Sequence, residues 1–258
     1  MNNYNTLLID IADRTATIVI NRESKLNALN AETLSELADV LNALADNDEV
    51  RGIILTGSGS KAFVAGADIQ EFIGLSTDEA SAKSRLGHEQ VMDAIQNSRK
   101  PIIAAINGFA LGGGLELAMA CHIRIGSLSA KMGLPEVSLG IIPGYGGTQR
   151  LVQLVGRGKA LEMIMSGEMI DAQDAHQWGL LNKVVVEEEL LETCKSLLKK
   201  IYSRSRLAVG YAIEAVNAGL SDNKEGYNTE IRLFGESFGT HEAKEGISAF
   251  LEKRKPNF

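Results

Sequence analysis

Asn107-Gly108-Phe109-Ala110-Leu111-Gly112-Gly113-Gly114-Leu115-Glu116-Leu117 is the stretch on which the reading of this chain turns. An apolar segment, residues 101–106, runs into it and reads as a strand. The apolar run that leaves it reads as a helix beginning near Gly114. A glycine triplet at such a junction exposes backbone N–H groups that have no intrahelical partner, and glycine lets a ligand oxygen approach them. Two such amides aimed at one point make an oxyanion hole. Close packing of strand on helix is the competing use of the same glycines. Glu116 lies within Leu115-Glu116-Leu117-Ala118-Met119-Ala120, where a carboxylate is costly unless it is partnered or has chemistry to perform.

Two further segments share this character. They are Phe63-Val64-Ala65-Gly66-Ala67-Asp68-Ile69 and Pro135-Glu136-Val137-Ser138-Leu139-Gly140-Ile141-Ile142-Pro143-Gly144-Tyr145-Gly146-Gly147-Thr148. In the second, Glu136 follows a proline and precedes an apolar stretch, a poor position for a purely solvent-facing carboxylate.

Outward from these segments, strands and helices alternate. Residues 5–10 and 14–21 read as strands joined by a turn at Ala12-Asp13-Arg14. Leu34, Leu37, Leu41 and Leu44 recur at helical spacing over 31–47, with Asn30 placed to cap the start. A short strand covers 52–56, and a helix covers 76–97, opened by a Ser76/Glu79 capping box. Residues 122–126 form another strand. This alternation predicts an α/β architecture with parallel pairing. Beyond about Val186 the pattern becomes helical, with apolar stripes through Leu190–Ile201, Val209–Leu220 and Tyr227–Phe238.

Composition narrows the class. The 258 residues carry a formal net charge of -7 without a long basic run, which argues against general nucleic-acid binding. Cys121 and Cys194 are too few for a disulfide scaffold, so a reducing compartment is expected. No basic-then-apolar leader and no membrane-spanning run is visible, and the expected location is cytoplasmic, away from membranes. Neither a GxGxxG nor a P-loop pattern occurs, and the four histidines are too scattered for a metal site. Gly235-Glu236-Ser237-Phe238-Gly239 matches the nucleophile pattern GxSxG, but that chemistry needs a strand before the serine, and here a helical stripe surrounds it.

The three glycine-rich segments resemble the signature of the enoyl-CoA hydratase/isomerase (crotonase) family, and most closely its hydratase members. The likeness extends from Asn21-Arg22 and Leu26-Asn27-Ala28-Leu29, through Pro101–Gly108 and Gly146-Gly147-Thr148-Gln149-Arg150-Leu151, to Phe250-Leu251-Glu252-Lys253-Arg254-Lys255. It implies a spiral of ββα units over residues 1–195. Residues 196–258 would be a helical region that builds homotrimers, commonly paired into homohexamers. It implies that the amides of Ala67 and Gly113 hold a thioester oxygen. Glu116 would then hold and deprotonate water, and Glu136 would protonate the α-carbon of the substrate. The substrate would be an acyl-CoA thioester, with no cofactor beyond the coenzyme A it carries and no metal. Lys25, Ala65, Ala67, Asp68, Ile69, Gln70 and Lys253, or Lys255, would line the coenzyme A portion, and the amide of Gly144 would help hold the water or Glu136. A solvated basic tail is the alternative for Lys253 and Lys255.

Three positions depart from the family pattern: Gln70 stands where lysine is frequent, His122 where aspartate is frequent, and Leu134 where some hydratases have a polar residue. His122 is expected to be structural. Two other functions compete with hydration of trans-2-enoyl-CoA. One is Δ3-Δ2 isomerisation through Glu136 alone; the other is a non-catalytic acyl-CoA-binding subunit.

Overall fold

The computed structural model describes residues 4–221, 223–238 and 240–257. β1 (Leu7–Ala12) and β2 (Thr15–Ile20) form an antiparallel hairpin whose turn sets Asp13 and Arg14 at φ 49° and 64°. This left-handed pair matches the twist of the hairpin. α1 (Ala31–Ala45) follows, with Asn30 accepting from the Thr33 amide at 2.9 Å, a cap typically worth about 1 kcal/mol. Its Leu37, Leu41 and Leu44 are buried.

A ββα unit then repeats. β3 (Gly52–Gly57) and β4 (Ala62–Val64) lead to α2 (Thr77–Gly87), which continues through a π turn into α3 (Asp93–Gln96). The Ser76/Glu79 capping box is present. β5 (Ile102–Ile106) and β6 (Phe109–Leu111) lead to α4 (Gly113–Ala120). β7 (Ile123–Ser127) and β8 (Lys131–Gly133) lead to α5 (Gly147–Ser166), which is broken at Gly156. β9 (Ile170–Asp171), α6 (Ala172–Gln177) and β10 (Lys183–Val185) close the spiral.

In each unit the longer strand joins a six-stranded sheet of order β1-β2-β3-β5-β7-β10, and the short one joins a second sheet, β4-β6-β8-β9. Pairing from β2 to β10 in the first sheet is parallel, as the alternation predicts. The second sheet escapes sequence reading, because strands of two or three residues hold too few positions for alternation to register.

The inner strands β3 and β5 of the six-stranded sheet are buried on both faces, which is why they are largely apolar runs. Ile53, Leu55, Ala104 and Ile106 face the main core, while Ile54, Ile103 and Ala105 face a second one. That second core is closed by Leu190, Cys194 and Leu198 of α7 (Leu190–Tyr202). The boundary expected after residue 195 therefore falls inside a helix that covers the sheet. α8 (Arg206–Ser221), α9 (Asn223–Phe238) and α10 (His241–Leu251) complete the chain. Gly235, Glu236 and Ser237 lie within α9 with no strand before them, and Gly239 lies outside the described residues. Among the described residues no helix is long and apolar enough to cross a membrane.

Candidate active site

The segment 65–68 is zippered to 26–29. Ala65 N donates to Leu26 O at 3.0 Å, Leu29 N to Gly66 O at 2.9 Å and Asp68 N to Leu29 O at 2.7 Å. In this parallel bridge the groups flanking Ala67 are consumed, so Ala67's own N–H points to the other side. There it meets the start of α4: a methyl group built on Gly113 would lie 3.5 Å from Ala67 N. Gly113 is the first residue of α4, so its N–H has no intrahelical partner. Among the described residues no carbonyl accepts from either amide. Two unpaired donors thus converge at the positive end of a helix.

All eight residues of α4 are buried, and Glu116 sits in its first turn at 1% exposure. Its Oε1 accepts from Tyr145 N and Gly147 N, both at 2.7 Å. Burial pushes its carboxyl up to about 7; the two amides oppose that rise and the nearby Glu136 adds to it. Glu136 projects from the helical turn Pro135–Leu139. Its carboxyl is also raised by burial, and its Oε2 is buried without any hydrogen-bond partner among the described residues. A buried polar atom left unpaired is costly, and such atoms call for an explanation, often a functional one.

The two carboxyls and the two amides meet in one cavity of about 180 Å³, lined by Ala67, Gly113, Glu116, Glu136 and Tyr145 among others. Glycine is required at its edges. A methyl at Gly112 would lie 2.8 Å from Glu136 Oε1, and one at Gly147 would lie 2.9 Å from Glu116 Oε1. Gly112 also holds φ 50°, ψ -126°, which an L side chain rarely adopts. Gly112→Ala is therefore expected to lower kcat by at least about ten-fold by displacing the Glu136 carboxyl, and to destabilise the fold by about 1–3 kcal/mol. Steady-state kinetics and a thermal melt check both; unchanged kcat would show that Glu136 has room to spare.

The structure separates the residues expected to line a coenzyme A portion. Ala65, Ala67, Ile69 and Gly144 line the cavity. Asp68 turns aside to Arg22, whose Nη2 lies 3.1 Å from it and whose Nη1 donates to Ala28 O. That pair pins the loop rather than facing the cavity. Lys25 is exposed but near enough to Asp68 to help lower its carboxyl pKa, after the Arg22 hydrogen bond that dominates. Gln70 is exposed on the turn Ile69–Phe72. Lys253 and Lys255 lie beyond the end of α10 and outside the cavity lining.

Sequence reasoning did not find the amides of Tyr145 and Gly147 as the partners of Glu116; Gly144, beside them, lines the cavity, and its carbonyl accepts from Ser84 Oγ at 2.5 Å. Nor did it find the Tyr145 ring, which packs so closely on Gly87 that no side chain fits there. Leu134 packs under Gly147, on the turn that grips Glu116. His122 is structural: Nδ1 accepts from Ile102 N at 2.9 Å, which leaves Nε2 to donate to Gln96 O at 3.1 Å. No cluster of metal-ligating side chains occurs among the described residues.

A ββα spiral that brings paired amides and paired carboxyls into one cavity belongs to a recognisable class. The family model for enoyl-CoA hydratase/isomerase matches residues 10–258. The chain is 46% identical over 256 residues to the crotonyl-CoA hydratase of Syntrophomonas wolfei, covering 99% of this chain and 98% of that protein. It is 45% identical over 252 residues to the short-chain-enoyl-CoA hydratase of Clostridium acetobutylicum, covering 97% and 96%. The crystal structure of enoyl-CoA hydratase from Bacillus anthracis superposes with a TM-score of 0.92 at 39% identity, covering 98% of this chain and 99% of that one. The chain belongs to the enoyl-CoA hydratase/isomerase family and has its fold.

Proposed function

We infer that the protein is an enoyl-CoA hydratase, adding water reversibly across trans-2-enoyl-CoA to give 3-hydroxyacyl-CoA. The observation that carries this reading is the pairing of Glu116, held by two amides through one oxygen, with Glu136, whose Oε2 is buried and unpaired, in a single cavity. The thioester carbonyl oxygen accepts from Ala67 N and Gly113 N. Glu116 Oε2 takes a proton from a water molecule as its oxygen bonds to the β-carbon. The π electrons move onto the thioester oxygen, where the two amides stabilise the enolate. Glu136, which carries the second proton in this reading, then delivers it to the α-carbon on the same face. A proton returned from Glu116 to Glu136 restores the starting state. The reaction is redox-neutral, and every proton and charge in it has a partner among these groups, so no cofactor is invoked.

The cavity volume favours short acyl groups. Phe72, Leu139, Ile141 and Ile142 give the cavity apolar walls for an acyl chain. Loss of conjugated enoyl absorbance with crotonyl-CoA tests the reading, and a chain-length series extends it. kcat/KM is expected to be highest for the four-carbon substrate and to fall by roughly ten-fold or more for long chains. Binding of these thioesters without turnover at any length would overturn the hydratase reading in favour of a binding subunit.

We further propose assembly into trimers, supported by Val216 at 67%, Tyr227 at 68% and Ile231 at 69% exposure on α8 and α9. The two buried free thiols fit a reducing, cytoplasmic setting.

A further inference from the structure

We propose that Arg150 is a positioning residue for the hydration reaction: its guanidinium locks the turn that grips Glu116, and its charge keeps Glu116 available as the base. The proposal rests on the hydratase reading.

Tyr145, Gly146 and Gly147 form a tight turn at the start of α5, with Gly146 at φ 100°. The N–H groups at its two ends both point at Glu116 Oε1. The carbonyl between them, that of Tyr145, points the opposite way and accepts from Arg150 Nη1 at 3.0 Å. Rotating that middle peptide would swing both flanking amides off the carboxylate, so the Arg150 hydrogen bond sets the aim of the cradle. The guanidinium is itself held on its other edges. Nε donates to Gln96 Oε1 at 2.7 Å, and Nη2 lies 3.4 Å from Asp93 Oδ1, both on α3. Gln96 is fixed in turn, its carbonyl accepting from Asn217 Nδ2 of α8 at 2.6 Å and from His122. The Arg150 side chain is only 11% exposed, and a side chain at Gly146 would collide with Nη1. The fit is built rather than incidental.

The charge reaches the same carboxyl. The charged and titratable groups around Glu116 are Glu136, Tyr145 and Arg150, of which Arg150 is the cation. Around Arg150 lie Asp93, Glu116 and Cys121, with His88 beside Gly146. Removing the cation leaves Glu116 beside Glu136 with only the amides to favour its ionised form, so its proton is held more tightly.

The test is the pH dependence of kcat/KM with crotonyl-CoA for wild type, Arg150→Met, Arg150→Lys and Gln96→Glu, with folding checked by circular dichroism. In Arg150→Met the acid limb is expected to move up by about one unit, the lower end of what an opposite charge typically supplies. At pH 7 that lowers kcat/KM roughly five-fold through ionisation, with recovery at higher pH. Arg150→Lys keeps the charge and should restore most of the limb position while retaining a loss in kcat from the missing fork. Gln96→Glu is nearly isosteric and sets a carboxylate against the guanidinium; it should move the limb the same way by less. It decides the matter if Arg150→Met does not fold. A loss in Arg150→Met that is equal at every pH, or an unmoved limb in Gln96→Glu, overturns the proposal alone. A wild-type protein that hydrates at no pH removes the hydratase reading beneath it, and the proposal falls with it.

Discussion

Glu136→Gln is expected to lower kcat for crotonyl-CoA by about 10²–10⁴-fold, the usual contribution of a positioned acid or base, with little change in KM. Glu116→Gln should do the same. The two losses have different origins. Glu136→Gln leaves no acidic proton for the α-carbon, although the new amide can occupy the space of the unpaired Oε2. In Glu116→Gln the side-chain oxygen can still accept from the Tyr145 and Gly147 amides, yet an NH₂ stands where a base is needed. Because the groups act on one water and one carbon, the double variant should cost little more than either single one. Stopped-flow or steady-state kinetics with thioester binding measured in parallel checks this. Near-normal turnover in either variant would remove that residue from the mechanism.

Glu116→Gln should affect stability in the opposite direction. The Glu116 carboxyl is raised by burial from 4.5 to about 7, so between those values the folded protein binds more protons than the unfolded chain. Stability is then fully present below about pH 4.5 and falls as pH rises through about 7, by roughly 3 kcal/mol for a shift of this size. Glu116→Gln has no charge to bury and escapes this penalty. Above pH 7 it should melt at a higher temperature than wild type while lacking activity, and the two melting curves should converge in acid. Under the proposed mechanism, catalysis draws on a group that the fold holds at a cost, as expected where a base is tuned by desolvation.

Glu116 was legible as a candidate because a carboxylate inside an apolar run conflicts with burial, and Glu136 because it stands between a proline and an apolar stretch. Capping at Asn30 and Ser76 was legible for a similar reason: side-chain type and spacing carry the geometry. The partners of Glu116 were not. Tyr145 and Gly147 contribute only backbone N–H groups, which every residue but proline has, so no residue type announces them. The short strands β4, β6, β8 and β9 were hidden because each is held by its neighbours in the spiral rather than by its own pattern. Arg150 was visible only as part of a motif, its role being set by a carbonyl five residues away in sequence and by α3, far from it along the chain. The Asp68 side chain is bound to Arg22, a pairing across 46 residues that composition cannot reveal.

Gly113→Ala and Gly114→Ala, one position apart, should fail in different ways. A methyl on Gly113 meets Ala67 N at 3.5 Å, the Tyr145 ring at 3.5 Å and Leu29 at 3.7 Å, all ordinary contacts. Gly113 also does not have a positive φ, so the fold should tolerate alanine within about 1 kcal/mol. That methyl nevertheless lies 3.5 Å from the Ala67 amide, beside the position proposed for the thioester oxygen. Loss of oxyanion stabilisation there is typically worth about 10²–10³ in rate. Gly113→Ala should therefore melt like wild type, turn over crotonyl-CoA at least ~100-fold more slowly, and lose affinity for an enolate-like thioester analogue more than for the substrate. A methyl on Gly114 instead runs into the backbone carbonyl of Val64, which cannot yield without moving α4 off β4. Gly114→Ala should lose stability and activity together, because the helix start and the 65–68 loop are forced apart. If Gly113→Ala retains full turnover, the oxygen of the substrate is held somewhere other than between Ala67 and Gly113, and the charge that develops during water addition must be stabilised by different donors.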